Sequence, residues 1–299
     1  MKTTRIEHDS MGELEVAKEA LYGAQTQRAI NNFPISGKTL PESFIRALLL
    51  IKAAAAKTNV ELEQIPEKMG DAINQAVEKL LGDPQLMSHF PVDIYQTGSG
   101  TSSNMNANEV LANIASDIYG EAIGANDHIN CGQSSNDVIP TAIHVSAALA
   151  LQRNLIPGLV TLAKTTRIKA DSVDHHIKTG RTHLMDAMPV RFSQSLNSWA
   201  TQIEQNIAFL KNLQPSIQSL AQGGTAVGTG INAHPQFSVL FNQKLTDMTG
   251  ISFTPADNFF THISTQDIAV SLSGQLKATA VSIIKIANDL RWMNSGPLA

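Results

Sequence analysis

Apolar side chains at helical spacing are the feature that most constrains how this chain can fold. Between about Thr265 and Trp292, the apolar residues Leu276, Ile283 and Leu290 recur every seven residues. This spacing places them on one face of a helix, and such faces pack against other long helices. The sequence therefore predicts a mainly α protein organised around long helices.

Two more long helices are predicted in the second half of the chain. One should begin at Pro189, carry an apolar stripe from Phe192 onward, and measure about 37 Å if it continues to Leu213. Another should begin near Pro140 and be bent or interrupted at Pro157, because proline cannot complete the helical hydrogen-bond ladder.

The first half of the chain is predicted to form shorter helices and few strands. Thr39 and Glu42 form a capping-box pattern that should start one helix. Another helix should cover Met69–Leu81, and a third should end at Gly120. The first forty residues are expected to be irregular, with short extended pieces only near Ile35 and Phe253.

Composition excludes several classes of protein. The formal net charge of −4 offers no basic surface for nucleic acid. The single cysteine, Cys131, excludes an intrachain disulfide and fits a reducing compartment. No stretch is expected to span a membrane, since even the apolar run after Arg46 is broken by Lys52 and Lys57. The N-terminus lacks the apolar run of a secretory signal, so a cytoplasmic location is predicted.

Three segments are unusually rich in hydroxyl, amide and glycine residues. Each is expected to lie just before a helix or in its first turn, where unpaired backbone N–H groups favour anions. Three such segments in one chain favour a shared anion site. They are QTGSGTSSNMNANEV (Gln96–Val110), CGQSSNDVIPTAIH (Cys131–His144) and GRTHLMDAMPV (Gly180–Val190).

Simpler explanations exist for each of these residues. Serine and asparagine before a helix usually act as caps, and that alone would explain Ser134, Ser135 and Asn136. His183 could be a core histidine, although an imidazole there could also exchange protons near neutral pH. The glycine-rich stretch Ala221–Asn232 lacks the lysine of a phosphate-binding loop and is predicted to be a close-packed turn. We find no metal-ligand spacing.

Taken in order along the chain, these motifs resemble those of class II fumarases, in the fumarase–aspartase superfamily. The resemblance extends from Asp9-Ser10-Met11-Gly12 to Lys285-Ile286-Ala287-Asn288-Asp289 and so covers nearly the whole chain. Its main motifs are Gly98-Ser99-Gly100-Thr101, Ser103-Asn104-Met105-Asn106, Gln133-Ser134-Ser135-Asn136-Asp137, Gly180-Arg181-Thr182-His183 and Gly223-Gly224-Thr225-Ala226-Val227-Gly228-Thr229-Gly230.

The resemblance implies reversible hydration of fumarate to L-malate without a metal or organic cofactor. Donors around both substrate carboxylates would stabilise the charge that develops when a proton leaves carbon. His183 and Thr182 would be the catalytic residues, with His183 on the proton-transfer side. The substrate carboxylates would be bound by Ser99, Gly100, Thr101, Ser134, Ser135 and Asn136.

The resemblance also implies an architecture that this chain shares in part. It predicts an N-terminal lyase domain over residues 1–133 and part of a central helical bundle over 134–299, without the family's C-terminal domain. Fumarases are homotetramers whose active sites draw on three subunits. The family's mobile loop, which supplies the serine base, would lie beyond Ala299, so the chain is expected to be truncated and to turn over little.

Two features separate this chain from parts of the superfamily. Fumarases often carry a secondary dicarboxylate site at a His-Pro-Asn-Asp element. Asn126 and Asp127 match it, whereas its histidine and proline are missing. Aspartases typically have glutamine where this chain has His183, which favours a fumarase. An aspartase-type ammonia-lyase and a non-catalytic assembly fragment are the alternatives.

Overall fold

The computed structural model describes residues 4–9 and 11–294, and they are mainly helical, as predicted. The helices in this range are α1 (Ala24–Asn32), α2 (Glu42–Glu61), α3 (Glu67–Leu81), α4 (Thr101–Tyr119), α5 (Ser135–Ala150), α6 (Ile156–Ser172), α7 (Phe192–Ile217), α8 (Phe237–Thr249), α9 (Phe259–Ser264) and α10 (Asp267–Met293). The strands are β1 (Thr4–Asp9), β2 (Gly12–Ala17), β3 (Ile177–Thr182), β4 (Met185–Arg191), β5 (Ser219–Leu220) and β6 (Thr254–Pro255).

The chain divides into two compact units. The first comprises the residues up to Ala147 together with Gln218–Gln266, and the second comprises Ala148–Ile217 together with the residues from Asp267 onward. The domain boundary predicted at residues 133/134 is a different division, because 218–266 return to the first unit. Ser10, in the first motif, and residues 295–299, at the end of the second predicted domain, lie outside the described residues.

Helix α2 is the centre of the first unit. Its side chains are buried on all sides, among them Leu48, Leu49 and Ile51, because α3, α4 and α8 pack around it. Gly70 on α3 permits the closest approach, since a Cβ there would lie 2.2 Å from Val60 Cγ2 on α2. The first unit therefore has an apolar core around α2.

The second unit is built from α6, α7 and α10 with the β3–β4 hairpin. Trp199 on α7 packs against Ala170 and Leu196, and its Nε1 donates to Asp289 Oδ2 on α10 at 3.0 Å. A buried amide, Asn206, hydrogen bonds with α10 side chains and fixes the register of the two helices.

Helix starts differ from the sequence predictions in three places, whereas several ends agree. Thr39 forms an isolated bridge with Asp93 rather than a capping box, and Pro41 precedes α2. Pro189 lies in β4, so α7 begins later, at Phe192. Helix α5 begins at Ser135 and contains Pro140. The predicted ends at Leu81 and Gly120 are confirmed, as is the extent of α10. At the bend or interruption predicted at Pro157 the chain instead stays helical, through a π-helical turn at Leu151–Leu155.

The two antiparallel hairpins were not predicted. Strands β1 and β2 pair in the N-terminal region that was expected to be irregular. Strands β3 and β4 pair within the third polar segment, which was expected to precede a helix directly. The turn between them uses His183 and Leu184 with φ of 49° and 63°. Because such turns usually contain asparagine or glycine, the sequence gives little sign of this one.

One helical stretch contradicts the expectation that no segment could span a membrane. Within the described residues, Ser135–Ser172 forms a single 38-residue helical stretch. Its length and its apolar composition would allow it to cross a membrane. The π-helical turn continues α5 into α6, so the combined length exceeds what the interrupted sequence pattern indicated. Core helices of soluble proteins meet the same two criteria, so this feature alone is weak evidence of a membrane span.

Candidate active site

Ser99 and Thr101 hold their hydroxyl groups together at the start of α4. Ser99 Oγ and Thr101 Oγ1 are 2.8 Å apart, and the left-handed Gly100, with φ of +68°, turns the chain between them. Gln96 fixes the first turn, since its Oε1 accepts from Ser103 N and its Nε2 donates to Ser103 Oγ. Two adjacent hydroxyls are therefore presented at a helix N-terminus, where an anion is favoured.

Ser134, Ser135 and Asn136 form the start of α5. Ser134 Oγ accepts from Asn136 N at 3.3 Å, and Asp137 Oδ1 accepts from Ser134 N at 2.9 Å. This reciprocal pattern is a helix cap, so the simpler explanation of these residues is correct for Ser134. The cap fixes the backbone of Ser134 and Ser135 at the position predicted to bind an anion, and the two roles are compatible.

The structure brings these two segments together within the first unit. Asn104 Nδ2 on α4 donates to Ser135 Oγ at 3.0 Å. The loop before α4 also lies directly on α5, since a Cβ on Gly100 would be 2.9 Å from Ile139 Cγ1 and Cγ2. The starts of α4 and α5 are therefore neighbours, and six predicted binding residues lie in one region.

The glycine-rich segment joins the same region. Asn136 Nδ2 donates to the carbonyl oxygen of Ala226 at 2.7 Å. The segment is a close-packed turn, as predicted: a Cβ on Gly223 would be 2.6 Å from Ser238 Cβ, and one on Gly224 would be 2.8 Å from Phe259 Cβ. Glycine is therefore required for this backbone to pack against α8 and α9.

Two buried charged residues flank the start of α5. Lys52 on α2 donates from Nζ to Asn130 Oδ1 at 2.9 Å and to Gln133 Oε1 at 3.1 Å. Burial lowers the pKa of Lys52 to about 7, while the negative charge of Asp137 opposes that change. Burial likewise raises the pKa of Asp137 to about 6, against three backbone N–H donors and the charge of Lys52.

Thr182 and His183 lie in the second unit. Thr182 ends β3 and pairs with Met185, while His183 occupies the turn, and both side chains are exposed. Leu184 beside them is 90% exposed. The hairpin tip thus presents a histidine on a short strand pair, whose register shifts between Thr179 and Arg181, rather than at a helix start.

Asn126 and Asp127 lie on a separate turn from the residues at the start of α5. They belong to the π-helical turn Ala125–Ile129, and both are exposed. His128 Nδ1 accepts from Gly124 N at 2.8 Å and closes this turn. Among the residues that the structure describes, no three His, Cys, Asp or Glu side chains are grouped as metal ligands.

Several residues in this region were not singled out from the sequence. Lys52 entered the sequence predictions only as an interruption of an apolar run, and Asp137 only as part of a motif. The Ser-x-x-Asp spacing from Ser134 to Asp137 is a capping-box signal that could have identified the cap. Nothing local in the sequence indicates the contacts of Lys52 with Asn130 and Gln133, about eighty residues away.

Comparison with known proteins assigns the chain to a protein family. Residues 12–299 match the family described as "Lyase", and the chain belongs to that family. It is 60% identical over its whole length to a class II fumarate hydratase of Pseudomonas aeruginosa, covering 65% of that protein. It is 54% identical to the class II fumarate hydratase of Xylella fastidiosa, over 99% of this chain and 62% of that one.

The fold has a close counterpart among solved structures. The class II fumarase from Schistosoma mansoni superposes with a TM-score of 0.95 at 37% identity, over 98% of this chain and 66% of that one. The mainly α, fumarase-like fold is therefore confirmed. The chain spans just under two thirds of the length of these curated relatives.

Proposed function

We propose that the protein to which this chain belongs catalyses the reversible hydration of fumarate to L-malate. The observation that carries the proposal is the meeting of two polar helix starts, Ser99–Thr101 and Ser134–Asn136, through Asn104 and Ser135. The identity with class II fumarate hydratases supports the same reaction.

The donor set suits a dicarboxylate. Fumarate has two carboxylates, and the hydroxyls of Ser99 and Thr101 with the α5 N-terminus provide donors at two adjacent positions. Neutral donors that are already in place stabilise the extra negative charge that forms when malate loses its carbon-bound proton. Substrate-binding roles for Ser99, Gly100, Thr101, Ser134, Ser135 and Asn136 are part of this proposal.

His183 and Thr182 are proposed as the catalytic pair. An imidazole can accept and return a proton near pH 7, as hydration and dehydration require. A secondary dicarboxylate site at Asn126 and Asp127 is the less supported part of the proposal, because half of the family element is missing.

The proposal extends to the metabolic pathway, the cellular location and the oligomeric state of the protein. The reaction would belong to the tricarboxylic acid cycle in the cytoplasm, and the single cysteine fits that location. A homotetramer is supported by the apolar residues that α10 leaves exposed, among them Val270, Val281 and Ile284 at 69%, 58% and 58% exposure.

Binding of fumarate to the purified chain, measured by titration calorimetry, tests the proposal. Ser135→Ala should weaken fumarate binding about tenfold, or ~1.4 kcal/mol, because it removes one donor from a charged ligand. Ser146→Ala, on the same helix, removes a hydroxyl that donates to Ile143 O within its own helix; it is the matched control and should bind normally. Absence of saturable binding, or equal losses in the two variants, would overturn the proposed site.

Turnover distinguishes the reaction classes. Loss of fumarate absorbance and release of ammonia from L-aspartate should be followed in parallel, and malate formation, although slow in this chain, should exceed the release of ammonia. His183→Asn should lower that rate about 100-fold or more, since it removes a proton-transfer group. His175→Asn, an exposed histidine of the same unit, should leave it unchanged. Faster release of ammonia would favour an ammonia-lyase.

A further inference from the structure

We infer that Asp137 is a positioning residue that clamps the glycine-rich segment onto the start of α5 and so shapes the proposed carboxylate site. The inference rests on the proposed function for its ligand, but the clamp itself follows from contacts in the first unit. Asp137 is completely buried, and ligand contact is assigned to its neighbours Ser134, Ser135 and Asn136.

The two oxygens of the Asp137 carboxylate serve two different segments. Oδ1 accepts from Ser134 N at 2.9 Å, within the cap of α5. Oδ2 accepts from Gly223 N at 3.0 Å and from Thr225 N at 2.9 Å. One buried side chain thus satisfies backbone donors from chain regions 86 and 88 residues away. A carboxylate offers acceptor sites on both oxygens at once, whereas the amide of asparagine offers them on a single oxygen.

The segment held by Asp137 is strained. Thr225 has a φ of +56°, in the left-handed region that β-branched residues rarely adopt. Among the described residues, Thr225 Oγ1 is a buried hydroxyl oxygen without a hydrogen-bond partner. Such a conformation persists only when surrounding contacts enforce it, and strained positions of this kind cluster at binding sites.

A second contact shows what the clamp controls. Ala226 follows Thr225, and its carbonyl oxygen accepts from Asn136 Nδ2 at 2.7 Å. Releasing the segment from Asp137 would therefore also release the amide of Asn136, one of the proposed ligand-binding groups. The negative charge of Asp137 is tolerated beside an anion site because its N–H donors and Lys52 offset it.

The substitution Asp137→Asn tests the clamp. Asparagine has the same shape but turns an NH2 group toward N–H donors, so one side of the clamp must open. Hydrogen exchange should accelerate at least about tenfold on the side that opens, either in peptides that cover 222–227 or at the backbone N–H of Ser134. Asp93→Asn is the matched control, since Asp93 is also buried and also accepts backbone N–H groups, from Ser36, Gly37 and Tyr95. It should leave exchange at 222–227 unchanged.

Ligand selectivity provides a second measurement that simple destabilisation would not change. Crotonate resembles fumarate with one carboxylate replaced by methyl. Loss of one carboxylate position in Asp137→Asn should weaken the binding of fumarate about tenfold and the binding of crotonate much less. The affinity for fumarate relative to that for crotonate should therefore fall. Thermal melting of Asp137→Asn and Asp93→Asn should show a cooperative transition for each, which checks that both variants are folded.

The outcomes separate this inference from the proposed function. Unchanged exchange both at 222–227 and at the backbone N–H of Ser134 in Asp137→Asn overturns the clamp, whatever the affinity. Faster exchange with an unchanged affinity ratio overturns the positioning role. If the unsubstituted chain binds no fumarate, the proposed function fails, while faster exchange still supports the clamp.

Discussion

The carboxylate of Asp137 accepts a hydrogen bond from the backbone N–H of Thr225 at 2.9 Å, although the two residues lie 88 positions apart. This contact connects the start of α5 to a turn that the sequence shows only as a glycine-rich stretch. It also places an ionisable group at the centre of the proposed site. The stability of the chain should therefore depend on pH through Asp137 and Lys52.

Asp137→Asn should reveal the first of these dependences. The folded pKa of Asp137, about 6, lies above its unfolded value of 3.8, so the folded state retains this proton to higher pH. The contribution of Asp137 to the free energy of unfolding is therefore present at low pH and is lost as pH rises from about 4 to about 6. The loss amounts to ~3 kcal/mol at most. The difference in unfolding free energy between unsubstituted chain and variant should fall across that range, in urea titrations at successive pH values. A difference independent of pH would contradict the burial of this charge.

Lys52→Met should show the opposite dependence at alkaline pH. The folded pKa of Lys52, about 7, lies below its unfolded value of 10.5, so the folded state releases this proton first. The free energy of unfolding of the unsubstituted chain should rise from pH 7 to about 10, relative to the variant. Lys57→Met on the same helix, where the amine is exposed, is the control and should give a flat difference. Equal pH profiles for the two variants would contradict the buried position of Lys52.

Gly100→Ala should test how closely the loop before α4 lies on α5. The substitution adds the cost of a left-handed alanine to a clash with Ile139 at 2.9 Å, and should destabilise the chain by about 2–3 kcal/mol. Gly120, at the other end of α4, has φ of +84° and open space around its Cβ position. Gly120→Ala should therefore cost only about 1 kcal/mol.

The two glycine variants also separate stability from binding. Gly100→Ala should weaken fumarate binding, because it moves Ser99 and Thr101 away from α5, whereas Gly120→Ala should not. Equal costs in unfolding free energy, or equal affinities, would show that the loop does not depend on this contact.

The exposed face of α10 should control self-association. Val270, Val281 and Ile284 are all more than half exposed and share a face opposite the contacts with α7. Replacing all three by glutamine should lower the sedimentation coefficient at micromolar concentration, because it removes apolar surface that a second copy would cover. Val239→Gln, an equally exposed valine on α8, should leave sedimentation unchanged. Retention of the same assembly by the triple variant would contradict the proposed homotetramer.

Local signals predicted the helices better than the hairpins. Glycines after the last apolar positions identified the ends of α3 and α4, and seven-residue spacing identified α10, because these signals act within a few turns. The β3–β4 hairpin escaped prediction because its turn places His183 and Leu184 at positive φ without glycine or asparagine. The capping box at Thr39 was wrong because a tertiary bridge to Asp93 took precedence over the local pattern.

The candidate site could be predicted in part for the same reason. Hydroxyl and amide residues before α4 and α5 are visible in the sequence, and so is their preference for helix starts. Their proximity depends on Asn104 meeting Ser135, 31 residues later, and on the burial of Lys52 and Asp137. These long-range contacts follow from packing around α2, which no local pattern specifies.

The most direct measurement is a crystal structure of the chain with fumarate bound. One carboxylate should lie within hydrogen-bonding distance of Ser99 Oγ or Thr101 Oγ1, and the other should contact the start of α5 at Ser134–Asn136. A fumarate molecule ordered elsewhere in the chain, with these groups still bonded only to each other, would contradict the account.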